Sequence, residues 1–262
     1  MLARMLVLSM GLLAWSAATA VAAAPVSTTD LLHQAMEQER AISRCTAVVE
    51  TQHAMEFDGD GRVKPGRELL VVRRFTGTAS AQSGEVLSAR RSGQDVTGEF
   101  RKDRKTSSEL QRFRSPFHPE VRPLYMFLRA DSTPAEPMRL TFHPTYAHRD
   151  DPGLFEGMAS FDRATGRILE WTAHLVHPPT FVNRAEVHVI YGARVGLLDA
   201  RSQVSVALEG GLLFYKRRGR MDFQLSDYAC PESMPPSPGP AVSGPSAPPP
   251  ARVEGERADR GS

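Results

Sequence analysis

Hydrophobic and polar residues alternate with a period of two along most of this chain, which predicts β-strands with one apolar and one polar face. In the stretch RILEWTAHLVH (167–177), the apolar residues that share one face are Leu169, Trp171, Ala173 and Leu175. Strands of this kind are predicted at 45–53, 67–75, 84–91, 138–143, 154–162, 167–177, 184–192, 203–210, 211–218 and 220–228.

Two other patterns interrupt the strands. The stretch TTDLLHQAMEQER (28–40) begins with polar capping residues, and its apolar positions recur with helical spacing, so it predicts a short amphipathic helix. The least regular part is 98–137, in which 103–113 is compatible with a short helix. The apolar stretch PLYMFLR (123–129) is predicted to pack onto the sheet as a helix or a lid.

These elements predict a mainly β (α+β) fold. About ten strands in one sheet rarely stay flat, because a twisted sheet of that size coils or closes. We therefore expect an antiparallel curved sheet or an unclosed β-barrel, with an N-terminal helix and a helical or loop lid.

The ends of the chain differ in composition from the middle. Residues 1–22 have the order of a secretory signal peptide: a basic residue, a short apolar run and then small residues. Nine of the 20 prolines fall between 231 and 250, which predicts a disordered tail at 231–262. The folded domain is expected at 23–230, as a monomer without a transmembrane anchor, in the periplasm or secreted.

The two cysteines, Cys45 and Cys230, lie near the two ends of the predicted domain. Export to an oxidising compartment favours a disulfide between them, and two buried free thiols are the alternative. Their spacing excludes a CxxC redox or zinc motif.

The chain is nearly neutral, with a formal net charge of +2. Basic clusters at 101–105 and 216–220 are therefore local features, suited to phosphate headgroups or to solvated strand ends. Export argues against a nucleic-acid partner.

The stretch EFDGDGRVKPGRE (56–68) resembles an EF-hand loop in its acidic residues and its glycine. An EF-hand needs a helix on either side and a bidentate Glu at position twelve, where this chain has Arg67. Because predicted strands flank the stretch, it is interpreted as a hairpin turn.

Motifs of catalysis are scarce. The sequence has no GxSxG, HExxH, P-loop or GxGxxG pattern, so we predict neither an enzyme nor a bound cofactor. A metal-dependent hydrolase that uses His143, His148 and Asp150 is kept as a minor alternative, since these residue types bind zinc.

The apolar face of the predicted sheet is the remaining candidate site. Its predicted lining residues are Leu140, Phe142, Phe161, Leu169, Trp171, Val187, Val189, Tyr191 and Phe223. The same residues would form either a cavity for acyl chains or a closed, dry core.

The export signal, the short helix, the DGDGRV turn (58–63) and the segments FEGMASFDRATGRILEW (155–171), HPPTFVNRAEVHVIYG (177–192) and FQLSDY (223–228) resemble the outer-membrane lipoprotein-sorting (LolA/LolB-like) superfamily. This resemblance implies an unclosed β-barrel with a helical lid, which holds lipid acyl chains without chemistry. The expected partners are lipid acyl chains or a lipoprotein. A non-enzymatic envelope module that binds a protein partner is the alternative.

Overall fold

The computed structural model describes residues 27–78, 81–101, 114–130, 133, 136–212 and 215–230. Within these ranges the chain forms one antiparallel sheet of 11 strands with an N-terminal helix, as predicted. The expected signal peptide (1–22), the tail (231–262) and the possible helix at 103–113 lie outside the described residues.

Strands that are consecutive in sequence are neighbours in the sheet, with one exception. The elements are α1 (Thr28–Ile42), β1 (Thr46–Phe57), β2 (Val63–Thr78), β3 (Ala81–Arg91), β4 (Gln94–Asp95), α2 (Thr97–Phe100), β5 (Tyr125–Ala130), β6 (Met138–Pro144), β7 (Phe155–Phe161), β8 (Ile168–Leu175), β9 (Val182–Val195), β10 (Leu198–Leu212) and β11 (Tyr215–Ala229), with 3₁₀ turns at Arg122–Leu124 and Tyr146–His148. The order across the sheet is β4-β3-β2-β1-β11-β10-β9-β8-β7-β6-β5. The exception is that β4 and β5 lie at opposite edges, while β1 pairs with β11, so the sheet is not closed. None of the helices described here has the length and apolar character that crossing a membrane requires.

Local signals fix α1 and two hairpins. Ser27 caps α1 with a capping box, in which its hydroxyl accepts the Asp30 amide at 3.1 Å and the Asp30 carboxylate accepts the Ser27 amide. In the β1–β2 turn, Asp58 accepts two backbone amides at 2.9 Å each, so the EF-hand-like stretch is a hairpin turn. Gly166 has a φ of 66° in the β7–β8 hairpin, as its DRATG sequence predicts.

Three predictions about the strands are wrong. The segment 123–129 is not a lid but mostly edge strand β5. The sequence does not show the apolar–polar alternation of a strand there, because the outward residues Met126 and Leu128 are also apolar. The predicted strand 211–218 is divided between two strands, because β10 continues through Gly210 and Gly211 to Leu212 and β11 begins at Tyr215. Similarly, β11 continues through Gly219.

One face of the sheet, here called the inner face, carries the main core. Its two ends differ. At the helix end, where β8 and β10 begin, α1 contributes the buried residues Leu31, Leu32, Ala35 and Ile42. The segment before β5 adds Phe117, whose ring lies 5.8 Å from those of Phe142 and Phe161. The other end of these strands, which carries the β1–β2 and β10–β11 hairpins, is here called the open end.

A buried ion pair fastens α1 to the sheet at the helix end. Glu39 is only 1% exposed, and one of its carboxylate oxygens lies 2.6 Å from a guanidinium nitrogen of Arg201 on β10. The other oxygen accepts the hydroxyl of Tyr191, which in turn accepts the indole N–H of Trp171 at 3.2 Å. Tyr228 donates to the Arg201 carbonyl at 2.7 Å. The network therefore joins α1 to four neighbouring strands, β8 to β11.

Burial and the Glu39 carboxylate together fix the protonation states of Tyr191 and Arg201. Removal from water, together with the nearby Glu39 carboxylate, raises the pKa of Tyr191 far above its ordinary value, so this phenol stays a neutral donor. Burial disfavours the charged form of Arg201, but Glu39 outweighs this effect and the pKa of Arg201 is raised.

A β-bulge aims Arg201 at the inner face. The ladder between β9 and β10 shifts register on both sides of Arg201, which pairs with the inward-facing Tyr191. The extra residue, Ser202, allows both Arg201 and Val204 to point inward, which regular alternation would forbid.

The predicted disulfide is present. Cys45 at the start of β1 is bonded to Cys230 at the end of β11, across a sequence separation of 185. It lies at the helix end and joins the first and last strands of the described domain, which also pair directly.

Breaking the buried ion pair should destabilise the fold far more than breaking an exposed pair on the same helix. We expect Glu39→Leu to lower the free energy of unfolding by about 3–5 kcal/mol, because Arg201 would remain buried without its counter-ion. The double variant Glu39→Leu/Arg201→Met should cost less than the sum of the two single changes. Urea denaturation measures each value.

The matched control is the exposed pair Glu37–Arg40, whose side chains are 2.6 Å apart. Its removal by Glu37→Leu should cost less than about 1 kcal/mol. Equal losses from Glu37→Leu and Glu39→Leu would contradict the role given to the buried pair.

Reduction of the disulfide should lower the urea midpoint of the wild-type chain. The disulfide closes a long loop in the unfolded chain, so in the chain-entropy model it contributes at most about 5 kcal/mol to the free energy of unfolding. The variant Cys45→Ala/Cys230→Ala should show the lower midpoint with or without reductant. A wild-type urea midpoint that is the same with and without reductant would disprove this contribution.

Candidate functional site

Burial of the inner face decreases steadily from the helix end to the open end. Along β10, Val204 is 1% exposed, Val206 is half-buried and Leu208 is 40% exposed, although all three point to the same face. On the neighbouring β11, Phe223 is buried and Met221 is half-buried. The described helices therefore cover one half of the face and leave the other half accessible.

Two adjoining cavities occupy this accessible half. The first, of about 370 Å³, lies over β1, β2, β10 and β11, and the second, of about 430 Å³, extends toward the start of β9. Both are lined by Glu56, Leu208 and Gly219, so they form one continuous depression, here called the inner groove. Its other apolar lining residues are Ala54, Met55, Leu69, Val206, Met221, Phe181 and Val182.

Glycines create the space in the inner groove. Gly219 stands opposite Glu56 on β1 and Leu208 on β10, and a Cβ built on it would have its nearest neighbour, the Met55 carbonyl oxygen, at 3.5 Å. The volume above Gly219 is therefore free for a ligand. Gly210 leaves no such volume, since a Cβ there would lie 2.2 Å from the Phe181 carbonyl oxygen. It allows the loop before β9 to approach β10 closely.

The charged residues of the groove are mainly basic. Arg67, Arg91, Arg217 and Glu56 lie on the inner face, whereas the side chains of the other charged residues that border the cavities, Arg218, Arg220, Glu68 and Glu209, alternate to the outer face. Glu56 accepts the Lys64 ammonium at 2.7 Å, and this hydrogen bond lowers the pKa of Glu56, which stays ionised. An apolar floor with a cationic rim suits an amphipathic ligand with a negative charge.

Most of the lining residues predicted from sequence lie in the closed half. Eight of them are buried in the core cluster at the helix end: Leu140, Phe142, Phe161, Trp171, Val187, Val189, Tyr191 and Phe223. The placement of Leu169 on this face is wrong, because it is 38% exposed. A register shift between Ser160 and Phe161 skips Leu169 and leaves the inward position to Ile168.

The proposed metal ligands do not come together. His143 contacts the Pro144 carbonyl oxygen, whereas His148 lies 2.8 Å from Asp151 rather than from Asp150. Across the described ranges, no three His, Cys, Asp or Glu side chains form a group that could hold a metal ion. The geometry therefore gives no support to the hydrolase alternative.

Sequence reasoning missed the residues of the inner groove, although one signal was available. Gly210 and Gly219 both fall on the inner face of two paired strands, and Gly219, which pairs with Leu208, leaves a depression where a side chain would otherwise lie. The prediction treated them as strand breaks, which removed that signal.

No protein-family model matches this chain, and no curated protein matches it in sequence. Solved structures that resemble it in part include two complexes of MucB. MucB in complex with MucA(peri) has 12% identity and a TM-score of 0.22, covering 76% of this chain and 94% of the matched chain. The Pseudomonas aeruginosa MucA/MucB complex has 12% identity and a TM-score of 0.22, covering 75% and 93%. Values this low establish neither a shared fold nor a shared function, so the LolA/LolB-like resemblance stays a prediction.

Proposed function

We propose that this chain is a non-enzymatic binding protein that holds an acyl chain of a lipid or lipoprotein in the inner groove. The observation that carries this proposal is the pair of adjoining cavities, of about 370 and 430 Å³, over an otherwise packed sheet face. The site differs from the one expected from sequence, because the ligand would lie at the open end rather than beside Trp171.

The energetics favour an apolar chain. Each methylene that leaves water contributes about 0.8 kcal/mol, so even part of an acyl chain gives measurable binding. Leu208 is 40% exposed and lies at the junction of the two cavities, and a bound chain would cover it. Because the groove is open along its length, the chain can enter from the side without unfolding α1.

The predicted export signal and the resemblance to LolA/LolB-like proteins support an envelope lipid as the source of the chain. A second candidate is an envelope protein-interaction module. The observation that favours it is the closed core at the helix end, where eight of the predicted lining residues are buried.

A side chain placed in the groove should compete with the ligand. We expect Gly219→Leu to weaken binding of a dansyl-labelled fatty acid by roughly tenfold or more, equivalent to about 1.4 kcal/mol, because leucine would occupy the shared part of the cavities. Fluorescence titration of the mature chain, without residues 1–22, measures the dissociation constant.

The matched control is Gly192→Leu. Gly192 is exposed on the outer face of β9, and a Cβ there would also have its nearest neighbour, the Ser202 hydroxyl, at 3.5 Å. This variant should bind the fatty acid as the wild type does, and both variants should retain their melting temperature within a few degrees. If the wild type fails to bind the probe, the lipid proposal is wrong and the interaction module takes its place.

A further inference from the structure

The loop before β9 presents an aromatic side chain to solvent in a conformation that aromatic residues rarely adopt. Phe181 is 59% exposed and has a φ of 74°. A bulky residue in the left-handed region is a backbone outlier that costs free energy, and it persists only where the surroundings enforce it. The strained loop therefore needs an explanation in terms of what Phe181 does.

The surroundings of Phe181 hold it firmly in place. The amide of Val182 donates to the Pro179 carbonyl at 2.9 Å, which closes a turn before the strand. The Phe181 carbonyl accepts the Gly211 amide at 2.9 Å, and the missing Cβ of Gly210 makes this approach possible. Three local features thus fix an exposed aromatic ring at the open end.

Basic residues line the two cavities near this ring. Arg217 lines the same cavity as Phe181, and Arg67 and Arg91 line the adjoining one. These three arginines fall on the inner face together with Glu56, so basic groups outnumber acidic ones there. The inner face at the open end is therefore locally basic.

The ion pairs at this end leave the guanidinium groups accessible. Arg67 lies 3.9 Å from Glu56 and Arg91 lies 3.3 Å from Glu99, and both arginine side chains remain largely exposed. Exposed pairs of this kind contribute little, so the guanidinium groups can turn toward phosphates at small cost. Arginine is well suited to this exchange because its planar fork binds phosphate oxygens in pairs.

We propose that the open end docks onto the surface of an anionic lipid bilayer, with Phe181 in the headgroup boundary and the groove arginines on lipid phosphates. Aromatic rings favour the membrane–water interface, and clustered basic residues favour anionic leaflets. The inner groove opens at the same end, so docking would bring it against the bilayer. An acidic protein would satisfy the arginines, but it would give no reason for a strained, exposed phenylalanine.

Vesicle flotation tests this docking directly. The mature chain should float with vesicles of phosphatidylglycerol and phosphatidylcholine at low salt, and should float at least tenfold less with phosphatidylcholine alone. Phe181→Asn should reduce the partition coefficient at least fivefold; asparagine tolerates a positive φ, so the turn is kept. Arg67→Gln/Arg217→Gln should cause a similar loss, and high salt should weaken the wild type.

Matched controls lie at the helix end. Leu197 is 58% exposed in the β9–β10 turn, and Arg40 and Arg194 are exposed there as well, so Leu197→Asn and Arg40→Gln/Arg194→Gln should float like the wild type. Gly219→Leu should also float normally, which separates docking from acyl-chain binding. The proposal is overturned if the wild type does not float with anionic vesicles, or if the control variants lose as much flotation as the test variants. It is also overturned if the wild type binds soluble polyglutamate but no vesicles.

Discussion

The buried pairing of Glu39 with Arg201 is the constraint on which the rest of the inner face depends. A carboxylate that is 1% exposed would be very unfavourable without a counter-ion, since removing a charge from water costs several kcal/mol. The pair fixes α1 over the first half of β10, and the hydroxyl of Tyr191 completes the coordination of the carboxylate. The helix is therefore held at one register on the sheet, where a purely apolar contact would allow it to slide.

Fixing α1 at the helix end determines where the open half lies. The helix spans 15 residues, or roughly 22 Å, whereas β10 and β11 have 15 residues each at about 3.3 Å per residue. A helix of this length cannot cover the whole of the inner face of strands about twice as long. The groove at the open end is thus the consequence of long strands under a short, anchored helix, and the missing side chain of Gly219 deepens it.

The fold class followed from sequence because its signals are local. The period of two along the strands, the cap of α1 and the Asp and Gly residues of the hairpins depend only on neighbouring residues. The inner groove did not follow, because it depends on how far α1 extends over the sheet and on bulges. The bulge at Ser202 turns Arg201 inward, and the one that skips Leu169 turns that residue outward. Neither bulge changes the alternation pattern enough to be detected in one sequence.

In the function that we propose, an acyl chain lies at the open end and never reaches the closed half of the inner face. Once a signal peptide that contains Trp15 is removed, Trp171 is the one tryptophan of the chain, and it is buried in the closed half. The direct measurement is tryptophan quenching by a brominated fatty acid in the mature wild type and in Leu208→Trp. If the chain lies in the inner groove, the emission of Trp171 is unaffected at saturation, whereas the tryptophan introduced at the groove is quenched. Saturable quenching of Trp171 in the wild type would contradict this placement, because the ligand would then enter the half that Glu39 and Arg201 hold closed.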